Sequence, residues 1–441
     1  MRVKIERMGI NGEGIAFVNR QPIFIEGALP QEVVDIEITE NNSRYRRGKI
    51  INIVQKSKDR VRCSCRYHRQ CGACSLMHVT YQKQLQYKNE VLKESLKKYA
   101  DIDASCVEAM VANDHSIGYR NSFKLPVKMI HGKGGKLSTG LYMQKTNYFV
   151  PVDHCLIHEE GLENIRKQLL QVLNRYHLNE YDYRKKRGIR TLIVRGFEGK
   201  YQCCIVSGEE ELPKSCIEEC LAIKGVVSLW QNINTVKRTV DLFGKKMIFL
   251  GGERQLSFHL NNLTLTLSPK SFFQLNTSQA LKLYNIVATM VKDKNDFVVE
   301  AYSGIGAISL FIKDKAKEIV GIESVSDAVV NANANAKRND AKNVSFVCGD
   351  AAEKLTKYSK KKTIDTLIVD PPRSGLDDAM IATIIKSKIR NIIYISCNPA
   401  TLGKNLAVLQ NYYQVERIVP VDMFSQTTHV ECVVLLTKVH K

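Results

Sequence analysis

From residue 297 to residue 399 the chain repeats one unit: a short apolar, β-branched run, a turn of small or acidic residues, then a helical stretch. Phe297-Val298-Val299-Glu300 leads into the turn Gly304-Ile305-Gly306 and a helix through Leu310 and Phe311. Lys317-Glu318-Ile319-Val320-Gly321-Ile322-Glu323 precedes an Ala- and Asn-rich helix over 327–338, and two further runs end at Asp350 and at Asp370-Pro371-Pro372-Arg373. Strands separated by helices pair in parallel, because each helix carries the chain back to the starting edge. The pattern predicts a doubly wound α/β sheet, which binds ligands at the carboxyl ends of its strands. The most telling strand is Ile393-Tyr394-Ile395-Ser396-Cys397-Asn398-Pro399. Asn-Pro stops it, since proline lacks an N–H and biases the preceding residue towards extended geometry. Cys397 then sits at the lip of the sheet, where a partly exposed thiolate is able to act as a nucleophile. The plain alternative, a small residue filling a strand end, is the usual fate of cysteines outside disulfides.

The other strand ends suggest what such a sheet binds. Glycines after the first strand let a cofactor approach the backbone, and a carboxylate such as Glu323 at the end of the second suits a ribose diol. Asp350 ends the third, where an adenine edge would lie; for both acids a helix N-cap is the alternative. A full G-x-G-x-x-G and a Walker lysine are missing, so S-adenosylmethionine fits better than NAD or ATP. Asp-Pro-Pro followed by an aromatic resembles the signature of exocyclic-amine methyltransferases, but here Arg373 takes the aromatic's place and a cysteine ends the next strand. That combination points to carbon methylation. Uracil C5 is too weak a nucleophile to take a methyl cation unaided, and a thiolate adding at C6 makes C5 enolate-like.

Residues 1 to about 55 read as all-β, with glycine-punctuated runs at 15–18, 22–25, 32–38 and 48–54. The third run alternates apolar and charged residues, and the set predicts a small barrel. Arg44-Tyr45-Arg46-Arg47 interleaves cations with an aromatic, which suits phosphate contact and base stacking; a solvated turn would carry the same residues. Next, Cys65-x5-Cys71-x2-Cys74 brings three thiols together, and Cys155, after Pro151, is placed to be a fourth ligand. Four thiolates suit zinc or a [4Fe–4S] cluster, and the uneven spacing leans towards iron–sulfur; Cys63 has no role in either. Over 76–99, Leu85, Leu92 and Leu96 recur with Lys83, Lys88, Lys93, Lys97 and Lys98 between them, which predicts an amphipathic helix with a solvated basic face. Residues 105 to 265 read as a mixed α/β, RNA-facing region with a glycine turn at 132–136 and a basic loop at 184–190. The net charge of +20 favours a polyanionic partner, nucleic acid first. No apolar run approaches the ~18 residues of a membrane span and no signal peptide opens the chain, so a cytoplasmic protein is expected, with its 13 cysteines as thiols or ligands.

Four motifs carry a resemblance: Ser271-Phe272-Phe273-Gln274-Leu275-Asn276, Asp370-Pro371-Pro372-Arg373-Ser374-Gly375-Leu376, Tyr394-Ile395-Ser396-Cys397-Asn398-Pro399-Ala400-Thr401 and His429-Val430-Glu431-Cys432. Together they resemble the TRAM-containing RNA uracil-C5 methyltransferases that act on 23S ribosomal RNA, over nearly the whole chain. The resemblance implies three domains. Residues 1–56 would form a TRAM-like OB-fold for RNA, 57–265 a central α+β domain with the cysteine cluster, and 266–441 a Rossmann-like class I S-adenosylmethionine-dependent methyltransferase domain. A helix near 76–100 would pack on the last of these. It further implies Cys397 as nucleophile, Glu431 as the base that removes the C5 proton, Gln274, Tyr302, Glu323 and Asp370 as cofactor contacts, and Cys65, Cys71, Cys74 and Cys155 as [4Fe–4S] ligands, with zinc the alternative. One departure is Glu300-Ala301-Tyr302-Ser303-Gly304, where Asp-Leu-Phe-Cys-Gly is more usual; Tyr302 keeps an aromatic there. The expected protein is a monomer acting on a flipped uridine of ribosomal RNA. Transfer RNA is the nearer alternative substrate. A non-catalytic RNA-binding ribosome assembly factor is the more distant one, against which the intact Cys397 and Glu431 argue.

Overall fold

The computed structural model describes residues 1–130, 135–143, 146–237 and 241–439. Most of the turn expected at 132–136 lies outside the described residues. The chain forms two compact units: Met1–Ser116, Pro371–Ile381 and Tyr394–Lys441 make the first, Ile117–Asp370 and Ala382–Ile393 the second. Among the described residues no helix is long and apolar enough to cross a membrane.

The first unit opens with a six-stranded sheet built from Arg2–Lys4, Arg7–Met8, Gly14–Val18, Gln21–Ile25, Val33–Asn41 and Arg46–Gln55. The alternation read at 32–38 falls on the strand Val33–Asn41, where Val34 and Ile36 are buried among Val3, Ile5, Ile23 and Ile25 while the residues beside them are more exposed. Arg46 and Arg47 are half-buried and locally engaged, Arg46 donating to Asn41 Oδ1 at 3.1 Å and Arg47 lying 3.2 Å from Glu40; Arg44 is exposed. Helix α1, Tyr81–Ala100, ends where Asp101 turns into the left-handed region at φ 53. Its inner face packs on α2, Pro399–Leu409, so closely that a Cβ on Gly403 would lie 3.0 Å from the Tyr99 side chain. That face carries Leu92 and Leu96, each worth roughly 2 kcal/mol of apolar burial. It also carries Lys88, and here the expectation of a wholly solvated lysine face fails. Lys88 is 1% exposed because it shares the helix face of Gln84, Val91, Leu92 and Ser95 and meets the buried Asp422 in an ion pair.

The second unit holds a mixed seven-stranded sheet, in the order Lys246–Gly252, Val226–Ile233, Lys200–Ser207, Ile189–Phe197, Ser122–Ile130, Lys136–Tyr142 and Phe149–Pro151. Helices Glu160–Arg175 and Lys214–Ala222 pack on it through Leu162, Leu169, Leu173 and Cys216.

The strand–helix repeat forms a second seven-stranded sheet. Its strands are β1 Asn295–Ala301, β2 Ala316–Glu323, β3 Val344–Cys348, β4 Thr366–Val369, β5 Asn391–Ser396, β6 Tyr413–Val421 and β7 Glu431–Lys438. The order is β3-β2-β1-β4-β5-β7-β6. β1 to β4 pair in parallel, as the crossover helices require, whereas β6 and β7 are antiparallel. Val298, Val299, Ile319, Ile322, Leu367 and Ile368 are all fully buried, as expected of a sheet covered on both faces. The order reverses between β1 and β4, and at such a switch the strand ends open a crevice for a ligand.

Candidate active site

In the second unit the backbone after β1 turns sharply. Tyr302, Gly304 and Gly306 all have left-handed φ, at 66°, 54° and 81°. Gly306 is required by contact as well, since a Cβ there would lie 2.3 Å from the Phe346 ring. Above Gly304 a Cβ would meet nothing within 4 Å, so a ligand has room at the backbone. The turn is fixed by Glu323, whose carboxylate accepts from the Gly304 N–H at 3.0 Å and the Val325 N–H at 2.9 Å. Asp350 instead takes the capping role, accepting the Glu353 N–H at 2.9 Å at the start of helix Ala351–Ser359. Gln274 is buried on the segment before helix Thr277–Met290, where Asn121 Nδ2 donates to its carbonyl at 2.9 Å and Asn276 caps the helix.

At the strand ends of the doubly wound sheet the acidities of Glu300 and Asp370 are displaced upward. Burial pushes Glu300, at the end of β1, up to about 8; bonds from Ser309 oppose this, and repulsion from Asp370 and Glu323 adds to it. Burial also pushes Asp370 up to about 7. Acids held near neutral pH at a strand-end crevice mark a place where a cationic ligand would complete the charge. Tyr302, Glu323 and Asp370 follow or close the neighbouring strands β1, β2 and β4, and Gln274 stands on the segment before helix Thr277–Met290. Glu300 was missed in the sequence, although a glutamate inside an apolar strand run was the signal.

In the first unit Cys397 is half-buried at the turn between β5 and α2. The turn is shaped by Asn398, whose Oδ1 accepts the Ala400 N–H at 3.1 Å while its Nδ2 donates to the Arg373 carbonyl at 3.1 Å. Thr401 Oγ1 donates to the same carbonyl at 3.2 Å, so the segment after Asp370-Pro371-Pro372 hangs on the cysteine turn. Glu431 begins β7 and is 3% exposed. Cys432 Sγ donates to the Ser396 carbonyl at 3.7 Å, joining the residue after Glu431 to the residue before Cys397. The thiol and the carboxyl therefore share one end of two neighbouring strands. Burial, then the nearness of Glu431 and Cys397, raises the Cys432 thiol well above its ordinary range, which keeps it protonated. Arg373 Nη2 lies 3.4 Å from His429 Nε2 on the same side.

The metal expectation finds no such support. Cys65, Cys71 and Cys74 belong to the first unit and Cys155 to the second, all partly exposed. Among the described residues no three His, Cys, Asp or Glu side chains are grouped so as to hold a metal ion.

Comparison with known proteins agrees with the fold. The tRNA (Uracil-5-)-methyltransferase family model matches residues 245–439, and the TRAM domain model matches residues 1–51. Uncharacterized RNA methyltransferases of Clostridium tetani and Enterococcus faecalis are both 35% identical, over 98% and 99% of this chain and 95% and 97% of their own. One from Bacillus anthracis is 34% identical over 99% of this chain and 96% of its own. Among solved structures, the Pyrococcus abyssi tRNA (uracil-54, C5)-methyltransferase in complex with S-adenosyl-L-homocysteine has the same fold, with a TM-score of 0.78, 24% identity and 99% of each chain covered. The chain belongs to the family of RNA uracil-5 methyltransferases that begin with a TRAM domain.

Proposed function

We propose that this chain methylates C5 of a uridine in 23S ribosomal RNA, with S-adenosylmethionine as the donor. The observation that supports it most is the Cys432–Ser396 bond, which sets Cys397 and Glu431 at one end of adjacent strands. The Cys397 thiolate adds to C6 of the flipped base, and the C5=C6 electron pair becomes available at C5. S-adenosylmethionine, when bound, supplies an electrophilic methyl group, and Gln274, Tyr302, Glu323 and Asp370 are the residues that would hold it. Glu431 then takes the C5 proton. The electrons of that C–H bond re-form C5=C6 as the bond from C6 to the Cys397 sulfur breaks, and the thiolate leaves. Cys397→Ala is expected to abolish both adduct and product. Glu431→Gln is expected to accumulate a methylated protein–RNA complex that survives a denaturing gel. Wild type mixed with 5-fluorouridine RNA should be trapped similarly. Full activity of Cys397→Ala would sink the mechanism.

Ribosomal RNA as the substrate is supported by the resemblance of the motifs together with the TRAM-like start. Transfer RNA is the second reading, favoured by the fold shared over the whole chain with the Pyrococcus abyssi enzyme. Mapping 5-methyluridine in both RNAs from a deletion strain decides between them. Cys65, Cys71, Cys74 and Cys155 as iron–sulfur ligands rest on their spacing in the sequence and on the resemblance. Anaerobically purified protein should then carry about four irons per chain, and stoichiometric zinc without iron would end that reading.

A further inference from the structure

The segment that joins β6 to Glu431 is polar yet almost wholly buried: Asp422, Ser425, Gln426 and Thr427 are 0%, 0%, 7% and 4% exposed. Its shape is set from outside. Tyr81, Gln84 and Lys88 stand on one face of α1, at helical spacing, and each grips it. Tyr81 donates from its hydroxyl to Asp422 Oδ2 at 2.7 Å, beside a 2.6 Å bond from Ser425 Oγ to the same oxygen. Gln84 holds Gln426 by both ends of its amide: Nε2 donates to Gln426 Oε1 at 2.9 Å, and the Gln426 N–H donates to Gln84 Oε1 at 3.0 Å. Gln426 is at φ 69, a left-handed conformation that a glutamine keeps only when its surroundings impose it. Lys88 Nζ pairs with Asp422 and donates to the Phe424 carbonyl at 3.0 Å. That carbonyl also accepts Thr427 Oγ1 at 2.7 Å, and Thr427 Oγ1 accepts the His429 N–H at 3.3 Å. A line of hydrogen bonds thus runs from α1 to a residue two positions before Glu431.

A buried ion pair is a poor way to gain stability, because desolvation offsets its attraction, and an apolar face would pack the helix as well. What the directional bonds add is one defined backbone path. We infer that Tyr81, Gln84 and Lys88 are positioning residues, through which α1 fixes the path of 422–428 and so aims the Glu431 carboxylate at the C5 proton. The inference rests on the roles proposed above for Cys397 and Glu431. Proton removal needs hydrogen-bond reach, and a misplacement of about 1 Å costs on the order of a hundredfold. Thiolate addition and methyl transfer do not use Glu431 and should be spared.

The test uses Gln84→Leu and the double variant Lys88→Met with Asp422→Asn, which leaves no lone charge buried. Each is assayed on RNA carrying uridine or 5-deuterouridine at the target. The measurements are first-turnover methyl transfer, steady-state turnover and the covalent complex on denaturing gels, with circular dichroism confirming the fold. Methyl transfer in the first turnover should stay within about threefold of wild type, while turnover falls roughly tenfold or more. The methylated adduct should accumulate, and the deuterium effect on turnover should rise. A folded Gln84→Leu that turns over at the wild-type rate overturns the inference. So does one that slows methyl transfer and turnover equally with no adduct. Gln84→Leu carries the test alone if the double variant does not fold. Wild type on 5-fluorouridine RNA and Cys397→Ala run alongside: if wild type gives no adduct or Cys397→Ala stays active, the covalent reading itself falls, and the positioning role with it.

Discussion

Two regions of the second unit hold buried or half-buried carboxyls and treat them in opposite ways. In helix Glu160–Arg175, Glu163 is 0% exposed, and burial works against its charge. His158 Nδ1 at 2.7 Å and Arg166 Nη2 at 2.7 Å outweigh that and hold its acidity down at about 2. At the strand ends of the doubly wound sheet, burial wins: Asp370 rises to about 7 and Glu300 to about 8. Charge balanced within the chain supports the fold. Charge left for an incoming cation to balance marks a site, at some cost to the empty protein.

The sharpest way to break this contrast is to remove the balancing cation. Arg166→Met leaves a buried carboxylate short of its partner and should cost about 3–5 kcal/mol in urea unfolding. Asp370→Asn should cost less than about 1 kcal/mol. If the two substitutions destabilise equally, the contrast is wrong.

Ligand affinity should respond the other way round. Asp370→Asn is expected to weaken binding of the methyl donor by roughly 10- to 100-fold in calorimetry, the worth of a charged hydrogen bond, whereas conservative changes around Glu163 should leave it unaltered.

Acidity separates the two regions next. Asp370 has a raised value in the folded protein, so its contribution to stability is complete below its unfolded value near 4 and is lost as pH rises through about 7. A cationic donor binds the ionised form, so its affinity should climb from pH 6 to pH 8 in wild type and climb less in Asp370→Asn, where only Glu300 still titrates in that interval. Its stabilisation of the protein against heat should grow over the same interval. Glu163 has a lowered value, so its contribution is present above its unfolded value and is lost only as pH falls towards about 2.

At the exposed surface the contrast should fade. Arg47 and Glu40 are 40% and 46% exposed at 3.2 Å, and Arg47→Ala should move stability by no more than about 1 kcal/mol. Replacing Arg44, Arg46 and Arg47 together should instead lower the salt dependence of RNA binding, by roughly one unit of slope for each phosphate these arginines neutralise. An unchanged slope would leave these residues as a solvated turn.

Sequence periodicity by itself determined the elements that carry the site. The run of β-branched residues with a helix after each required a parallel sheet. The Asn-Pro step placed Cys397 at a strand end, and the acidic residue closing β2 fell beside a glycine turn, because strand pairing, proline geometry and glycine φ are local properties of the chain. Only the tertiary structure decided which polar groups are buried and what balances them. Lys88 meets Asp422 across 334 residues of sequence, and its spacing on α1 looks no different from that of the solvated lysines beside it. The grouping of residues 1–116 with 394–441 in one compact unit likewise follows from α1 packing on α2. Burial depends on contacts between distant segments, and desolvation, which set the acidities of Glu300 and Asp370, follows burial rather than residue type.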